Sequence, residues 1–437
     1  MENLPAYIDW FRNSASYINK HRKKVFVVLL PGEAIADPNF SNIVHDITLL
    51  HSLGVKLVLV HGARPQINEA MESAGLDPQY HMGLRITDSN TLKLVKQTIG
   101  SLGIELEAQF SMGLINSPMH GADIRTSRGN YITARPLGVI DGIDYGLTGV
   151  VRKVNANAIQ QHLDEHSIVL ISNLGYSPTG EVFNLSVEDV ATEVATAMKA
   201  DKLIVFIAGQ GVVDPTGQLH STLTPKAAET LLNEIRMTDH QTAEGMRAAI
   251  AACRQQVARS HLISFSRNGA LIEELFTRNG SGTLISKEQF EQLRSATIDD
   301  VGGILELIKP LEERGILVHR SRELLEAEIE HFKVIDLEGM IVACAAVYPL
   351  DETTGEISCI AIHQSYQDSG RGEHLLTALE DDARRLGLKQ VIVLTTQTAH
   401  WFIERGFREM DIGNLPVKKK QMYNYQRNSK AFRKELG

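Results

Sequence analysis

Residues Gly355 to Gly372 read GEISCIAIHQSYQDSGRG, and this stretch decides the reading of the C-terminal third. An apolar strand-like run, Ile357 to Ile362, leads into Gln367-Asp368-Ser369-Gly370-Arg371-Gly372, and a helix is predicted from Glu373 onward. Glycines at such a junction let backbone approach a ligand, and the amide groups of a helix start bind phosphate oxygens. Arg371 adds positive charge at the same place. As an isolated string, Q-x-x-G-x-G is equally a bland turn. Its position between an apolar strand and an amphipathic helix (Leu375, Leu376, Leu379, Ala383, Leu386) favours the phosphate reading.

Working outward, the stretch from about Ser295 predicts two helices, two antiparallel strands (FKVIDL and MIVACAAVYPL), the strand just described, a helix, the strand VIVLTT and a last helix, an α+β domain. Before it, from Val25 to about Ile285, apolar runs (VFVVLL, VKLVLV, HSIVLI, DKLIVFI) alternate with helical stretches. Continuous Val, Ile and Leu suit a parallel sheet covered on both faces, so this half is an αβα sandwich. The predicted division is 1–285, a linker over 286–295, and 296–437. The 437 residues fit two or three domains at ~150 residues each.

Composition excludes several classes. A net charge of −9 argues against a nucleic-acid partner. The run VFVVLL is far short of the ~20 residues a membrane-spanning helix needs. The N-terminus carries its basic residues after its apolar ones, the reverse of an export signal. Tyr7, Trp10, Phe11, Ser14, Tyr17 and Ile18 instead recur at helical spacing, predicting a helix that docks on its own domain or on another subunit. Cys253, Cys344 and Cys359 form neither a disulfide framework nor a metal-ligand pair, so a reducing cytoplasm and no metal are expected.

The pattern around Gly370 resembles the pyrophosphate loop of the GNAT N-acetyltransferases, and the VIVLTT strand with WFIERGF resembles that family's fifth strand and following turn. The resemblance implies acetyl-CoA as cosubstrate, held by Ile360, Ala361, Ile362 and the loop Gln367 to Gly372. Its pantetheine would lie in a splay between the strands containing Ile360 and Leu394. An attacking amine has to lose a proton, and Glu356, on the strand before the loop, is the best placed carboxylate. Its alternative is an ordinary strand carboxylate facing solvent. Thr395 is a candidate donor to the departing thiolate, with Thr396 and Tyr423 competing for the role. Lys418, Lys419, Lys420 and Arg427, with Arg320 and Arg322, form two basic clusters suited to a substrate with two carboxylates, or else a solvated basic face.

The N-terminal half resembles the amino acid kinase family in LLPGEAI, LVHGARPQI, GLRITD and FNLSVEDVA. Against that pattern, Leu29 stands where the family has its phosphate-binding lysine and Pro31 replaces a loop glycine. Gly62-Ala63-Arg64-Pro65 replaces an open glycine loop, Glu188 stands for an aspartate, and Ala249 aligns with a second lysine. Phosphoryl transfer depends on positive charge around the phosphate, so the loss of both lysines implies a pseudo-kinase. Arginine-inhibited members of the family bind arginine between an added N-terminal helix and the domain's last segment. By that resemblance Tyr17, His261, Glu274 and Gly280 are the expected arginine site; His261 is otherwise a satisfied core histidine.

The two halves together resemble the bacterial amino-acid N-acetyltransferases of the N-acetylglutamate synthase family. That resemblance implies L-glutamate as acceptor, held near Leu317 and Cys359 and by Lys419 and Arg427, with L-arginine as inhibitor and a homo-oligomer, by family analogy a hexamer. In Val318-His319-Arg320, His319 stands where the family commonly has arginine, implying a glutamate affinity that His319→Arg raises.

Overall fold

The computed structural model describes residues 6–112, 120–213, 217–277, 279–287, 291–337, 339–367, 370–421 and 429–436. The chain forms two compact units, Met1–Glu288 and Gln289–Gly437. The first is mixed α/β built on a mostly parallel sheet, and the second is α+β, as the sequence predicts.

In the first unit, α1 (Ala6–His21) precedes the strands β1 (Val25–Leu30), β2 (Lys56–His61), β3 (Arg125–Arg128), β4 (Ser167–Ser172), β5 (Lys202–Ile207), β6 (Thr222–Leu223), β7 (Arg259–Ser264) and β8 (Thr283–Ser286). Their order is β6-β8-β7-β5-β1-β2-β4-β3, parallel throughout except that β8 runs against β7. The continuous apolar run of β1 has a simple cause: alternate residues face two cores. Val27 and Leu29 pack on α2 (Val187–Ala197) and α3 (His240–Arg254), whereas Phe26, Val28 and Leu30 pack on the opposite layer with Ile43, Ile47 and Leu50. That second layer also receives α4 (Ala270–Phe276) and, through Tyr17 and Ile18, the end of α1. The outer turns of α1 leave Trp10 and Phe11 43% and 63% exposed. A smaller four-stranded sheet of residues 132–136, 149–154, 174–176 and 182–184 flanks the main one.

In the second unit a seven-stranded sheet has the order β9-β10-β11-β12-β13-β15-β14, where β9 is Glu291–Ser295, β10 Phe332–Leu337, β11 Met340–Pro349, β12 Thr354–Ile362, β13 Gln390–Thr395, β14 Arg408–Met410 and β15 Lys430–Glu435. One face carries α5 (Val301–Glu313) and α6 (Arg322–Glu328), the other α7 (Arg371–Arg385) and α8 (Ala399–Glu404). A short helix, α9 (Val417–Gln421), precedes the last strand. Two sequence expectations change here. The stretch read as linker is largely built into the sheets, because Ser286 ends β8 and Glu291–Ser295 pairs antiparallel with β10. The chain also does not end in the helix after VIVLTT: β15 returns between β13 and β14, covering the apolar edge that β13 would otherwise expose. All three cysteines are free and buried.

Candidate functional site

The cradle of the second unit begins where two strands part. β12 and β13 pair in parallel only through Thr354–Gln390, Gly355–Val391 and Glu356–Ile392, after which β12 continues to Ile362 and β13 to Thr395. The parting leaves backbone groups of residues 357–362 facing a gap, where an extended ligand can satisfy them. On its other edge β12 takes a bulge: between Ala346–Ser358 and Cys344–Ala361, two steps along β11 match three along β12. Cys359 absorbs the extra residue with φ 54°, a left-handed conformation uncommon outside glycine. Cys359 and Ala361 consequently lie on the α5 side, while Ile357, Ile360 and Ile362 lie on the α7 side.

The glycine loop closes the gap at one end. Gly370, at φ 76°, caps α7, and the helix begins at Arg371, two residues earlier than the sequence reading. Gly372 sits in the first turn, whose amides have no acceptor within a helix. A Cβ there would come 3.1 Å from both Ile362 and Trp401, so the glycine allows the helix start to approach β12. Arg371 stacks its guanidinium 5.3 Å from the Tyr366 ring, and Gln367 reaches the Ile362 carbonyl at 3.5 Å. Asp368 and Ser369 lie outside the described residues, as do Arg427 and Tyr423.

On the α5 side, Glu356 is 8% exposed and pairs with Lys419 of α9, Nζ to Oε1 2.6 Å. One pleat along the same face, Ser358 Oγ accepts from Arg320 Nη2 at 3.3 Å. The Arg320 amide donates to Glu312 Oε1 at 2.9 Å, and His319 Nδ1 lies 2.9 Å from the other oxygen of that carboxylate. His319 itself is largely exposed. Leu317 packs under α5, with its amide donating to the Leu311 carbonyl. Tyr348, opposite Glu356 on β11, donates to Glu328 Oε2 at 2.8 Å; burial and then that carboxylate push its phenol well above the ordinary range. The structure thus gathers Glu356, Arg320, Cys359 and Lys419. It leaves Thr395 in a local role: its hydroxyl accepts from the amides of Gln397 and Thr398 and lies 2.8 Å from Thr398 Oγ1. Tyr348, Ser358, Glu312 and Glu328 were missed. For Ser358 alone a signal existed, since it lies two residues from Glu356 and so shares its strand face.

In the first unit, Tyr17, His261, Glu274 and Gly280 also converge. His261 Nδ1 is 2.6 Å from Glu274 Oε1, and its Nε2 is 3.0 Å from Lys202 Nζ. A lysine ammonium only donates, so Nε2 accepts and Nδ1–H donates to Glu274. Burial, then the charge of Lys202, lowers the His261 pKa to about 4 and keeps the ring neutral. Burial alone would raise the Glu274 pKa, but the His261 bond and the amides of Ser281 and Gly282 outweigh it and hold the carboxylate ionised. Gly280, at φ 64°, lies so near that a Cβ would sit 2.5 Å from Glu274 Oε2. Tyr17 contacts His21, ring centroids 6.3 Å apart, and His21 Nε2 bonds the Leu275 carbonyl at 2.8 Å. Lys202 and His21 are members of this group that the sequence reading did not name.

His21 supplies a pH test. Its pKa falls to about 4, chiefly through burial, against 6.5 unfolded, so neutral His21 is the form the fold favours. Its stabilisation is therefore full above pH 6.5 and is lost as pH falls towards 4, up to about 3 kcal/mol. Urea midpoints measured from pH 7 to pH 4.5 should fall, and His21→Gln, which keeps a donor for Leu275, should flatten that fall. An equally steep fall in the variant would remove His21 from the account.

The first unit also has a cavity of about 100 Å³ at the carboxyl ends of β1 and β2, lined by Pro31, Gly62, Ala63, Arg64, Arg85 and Glu188 among others. No lysine is among its described lining residues. Ala63 caps a helix that begins at Arg64-Pro65 and presses on Gly32, where a Cβ would lie 2.7 Å from Pro65 and 2.9 Å from the Arg64 amide. Leu29 is buried in the core, as is Ala249.

Comparison with known proteins agrees with this division. Residues 24–264 match the amino acid kinase family and residues 303–407 the acetyltransferase (GNAT) family. An amino-acid acetyltransferase of Pseudomonas paraeruginosa is 53% identical over 434 residues, covering 99% of this chain and 100% of the relative. One from Pseudomonas putida is 54% identical over the same shares of both chains. The crystal structure of N-acetylglutamate synthase from Neisseria gonorrhoeae with coenzyme A and L-arginine superimposes with a TM-score of 0.86 at 35% identity, covering 99% of this chain and 100% of that one. The complex of the same synthase with coenzyme A and N-acetyl-glutamate gives 0.62 at 36% identity over the same shares.

Proposed function

The chain belongs to the amino-acid acetyltransferase family, and from that premise we propose that it is an N-acetylglutamate synthase inhibited by L-arginine. Acetyl-CoA lies in the gap between β12 and β13 with its pyrophosphate at the start of α7. L-Glutamate lies on the α5 side of β12. Glu356, directly or through a water, takes a proton from the α-ammonium; the free amine attacks the thioester carbonyl, the C–S bond breaks, and the second amine proton passes to the departing sulfur, so that CoA leaves as the thiol. Arg320 and Lys419 hold the acceptor's carboxylates. The kinase-like unit carries no phosphoryl transfer and binds arginine at Glu274, His261, Gly280 and Tyr17.

The observation that carries this reading is the parted pair of strands with a carboxylate and two cations on one of its faces. The ligands of the gonococcal synthase complexes support the choice of glutamate and arginine. The exposed Trp10 and Phe11 on α1 support assembly through this helix, in the ring of six inferred by family analogy, and the free cysteines suit a reducing cytoplasm. The test is CoA thiol release from acetyl-CoA, with and without L-glutamate and millimolar L-arginine. Release that needs glutamate and falls with arginine is the expected result. Release indifferent to glutamate, or none with any amino acid, overturns it.

A further inference from the structure

We propose that the Glu356–Lys419 ion pair is a lock that only an acceptor carrying both an ammonium and an adjacent carboxylate can open; this rests on the reading above. The two charged groups touch at 2.6 Å, with side-chain exposures of 10% and 21%. Among the described residues Lys419 is the one partner of the Glu356 carboxylate. The charge of the general base is thus already compensated by an ammonium at Oε1, which weakens its attraction for an arriving ammonium.

A simple amine arrives as an ammonium. To form a full ion pair with Glu356 it has to take Oε1 from Lys419 and leave that ammonium without a counter-charge, which is the unfavourable way to break such a pair. An α-amino acid brings both charges at neighbouring atoms. Its ammonium takes Glu356 while its α-carboxylate takes Lys419, so one ion pair is exchanged for two and no charge is stranded. Proton transfer to Glu356 then proceeds from the ammonium it already holds.

The same strand measures the rest of the acceptor. Ser358 is two residues from Glu356, about 7 Å along the strand on the same face, and it carries Arg320. An acceptor whose α-groups sit at Glu356 and Lys419 therefore presents a second carboxylate to Arg320 when its side chain is extended by the length of glutamate. The pair selects α-amino acids and Arg320 selects dicarboxylic ones.

The experiment compares L-glutamate with its α-amide, which keeps the amine and the side-chain carboxylate but lacks the α-carboxylate, in the wild-type enzyme and in Lys419→Met and Lys419→Arg. Wild type should use glutamate and be nearly inactive on the α-amide. Lys419→Met should lose about 100-fold in kcat/KM for glutamate, mainly through KM, while its activity on the α-amide rises, so that the preference collapses. It should also hydrolyse acetyl-CoA faster than wild type when no acceptor is present, because the charge of the base is no longer compensated. Lys419→Arg, which can restore the pair, should retain the preference. A fall by the same factor for both acceptors in Lys419→Met, with coenzyme A still bound, overturns the lock. Wild type that uses the α-amide as well as glutamate overturns it too, leaving the synthase reading intact. Wild type that uses neither overturns the synthase reading and the lock with it.

Discussion

Glu356→Gln lowers kcat for acetyl transfer to glutamate by about 10²–10⁴-fold, the usual weight of a positioned general base. The carboxylate stands at the last paired residue of β12, where the strands part, so it faces the point at which an amine meets a thioester held in the gap. Glutamine has nearly the same shape and cannot accept the proton as a base. It also removes the charge that takes the acceptor's ammonium, so some loss of glutamate affinity accompanies the loss of rate. Coenzyme A binding, measured by calorimetry, should be unchanged because the helix start at Gly370 is untouched. A variant that keeps kcat within threefold would assign the proton path to another group.

Glu274→Gln removes arginine inhibition, raising the half-inhibitory concentration by about 100-fold or more, while the uninhibited rate stays near that of wild type. The carboxylate is the one charge in its cluster suited to a guanidinium, since Lys202 is cationic and His261 is neutral. It also accepts from the amides of Ser281 and Gly282. Glutamine keeps one acceptor oxygen for them, so the loop contacts remain, while its amide nitrogen faces the His261 Nδ1–H and both that bond and the charge are lost. Thermal melts with and without arginine separate the two effects: the variant should melt lower than wild type for loss of the buried His261 bond, and should in addition lose the shift caused by arginine. An arginine-induced shift equal to that of wild type would place the effector elsewhere.

These two residues differ in how they were legible. Glu356 could be named because it precedes a glycine loop whose strand–turn–helix context carries its own physics. Glu274 could be named only through resemblance, since a carboxylate on a short helix carries no sign of the buried histidine thirteen residues before it. Lys202 was missed for a related reason. It opens an apolar strand, and nothing local distinguishes it from a solvated strand end; the β5–β7 register, which pairs it with Arg259, brings it to His261. Thr395 shows the opposite case, a residue whose position at the end of β13 was read correctly while its hydroxyl serves the following turn.

The edges of the second unit were the least legible part. EQLRS, Glu291 to Ser295, has the polar composition of a linker, and Lys430–Glu435, KAFRKE, has only Ala431 and Phe432 as apolar residues. Edge and near-edge strands carry such residues because one side meets water, so composition cannot tell them from loops. Periodicity, apolar runs and glycine placement act between residues close in the chain. They were enough to determine the two-domain α/β architecture and the phosphate-loop candidate, whereas the missing kinase lysines were legible only through the family resemblance. The bulge at Cys359, the parting of β12 from β13, the pairing of Glu356 with Lys419 and the His261–Lys202 contact were decided by tertiary structure. Each depends on strand register or on groups tens of residues apart, and the energy of such contacts exists only once the chain has closed on itself.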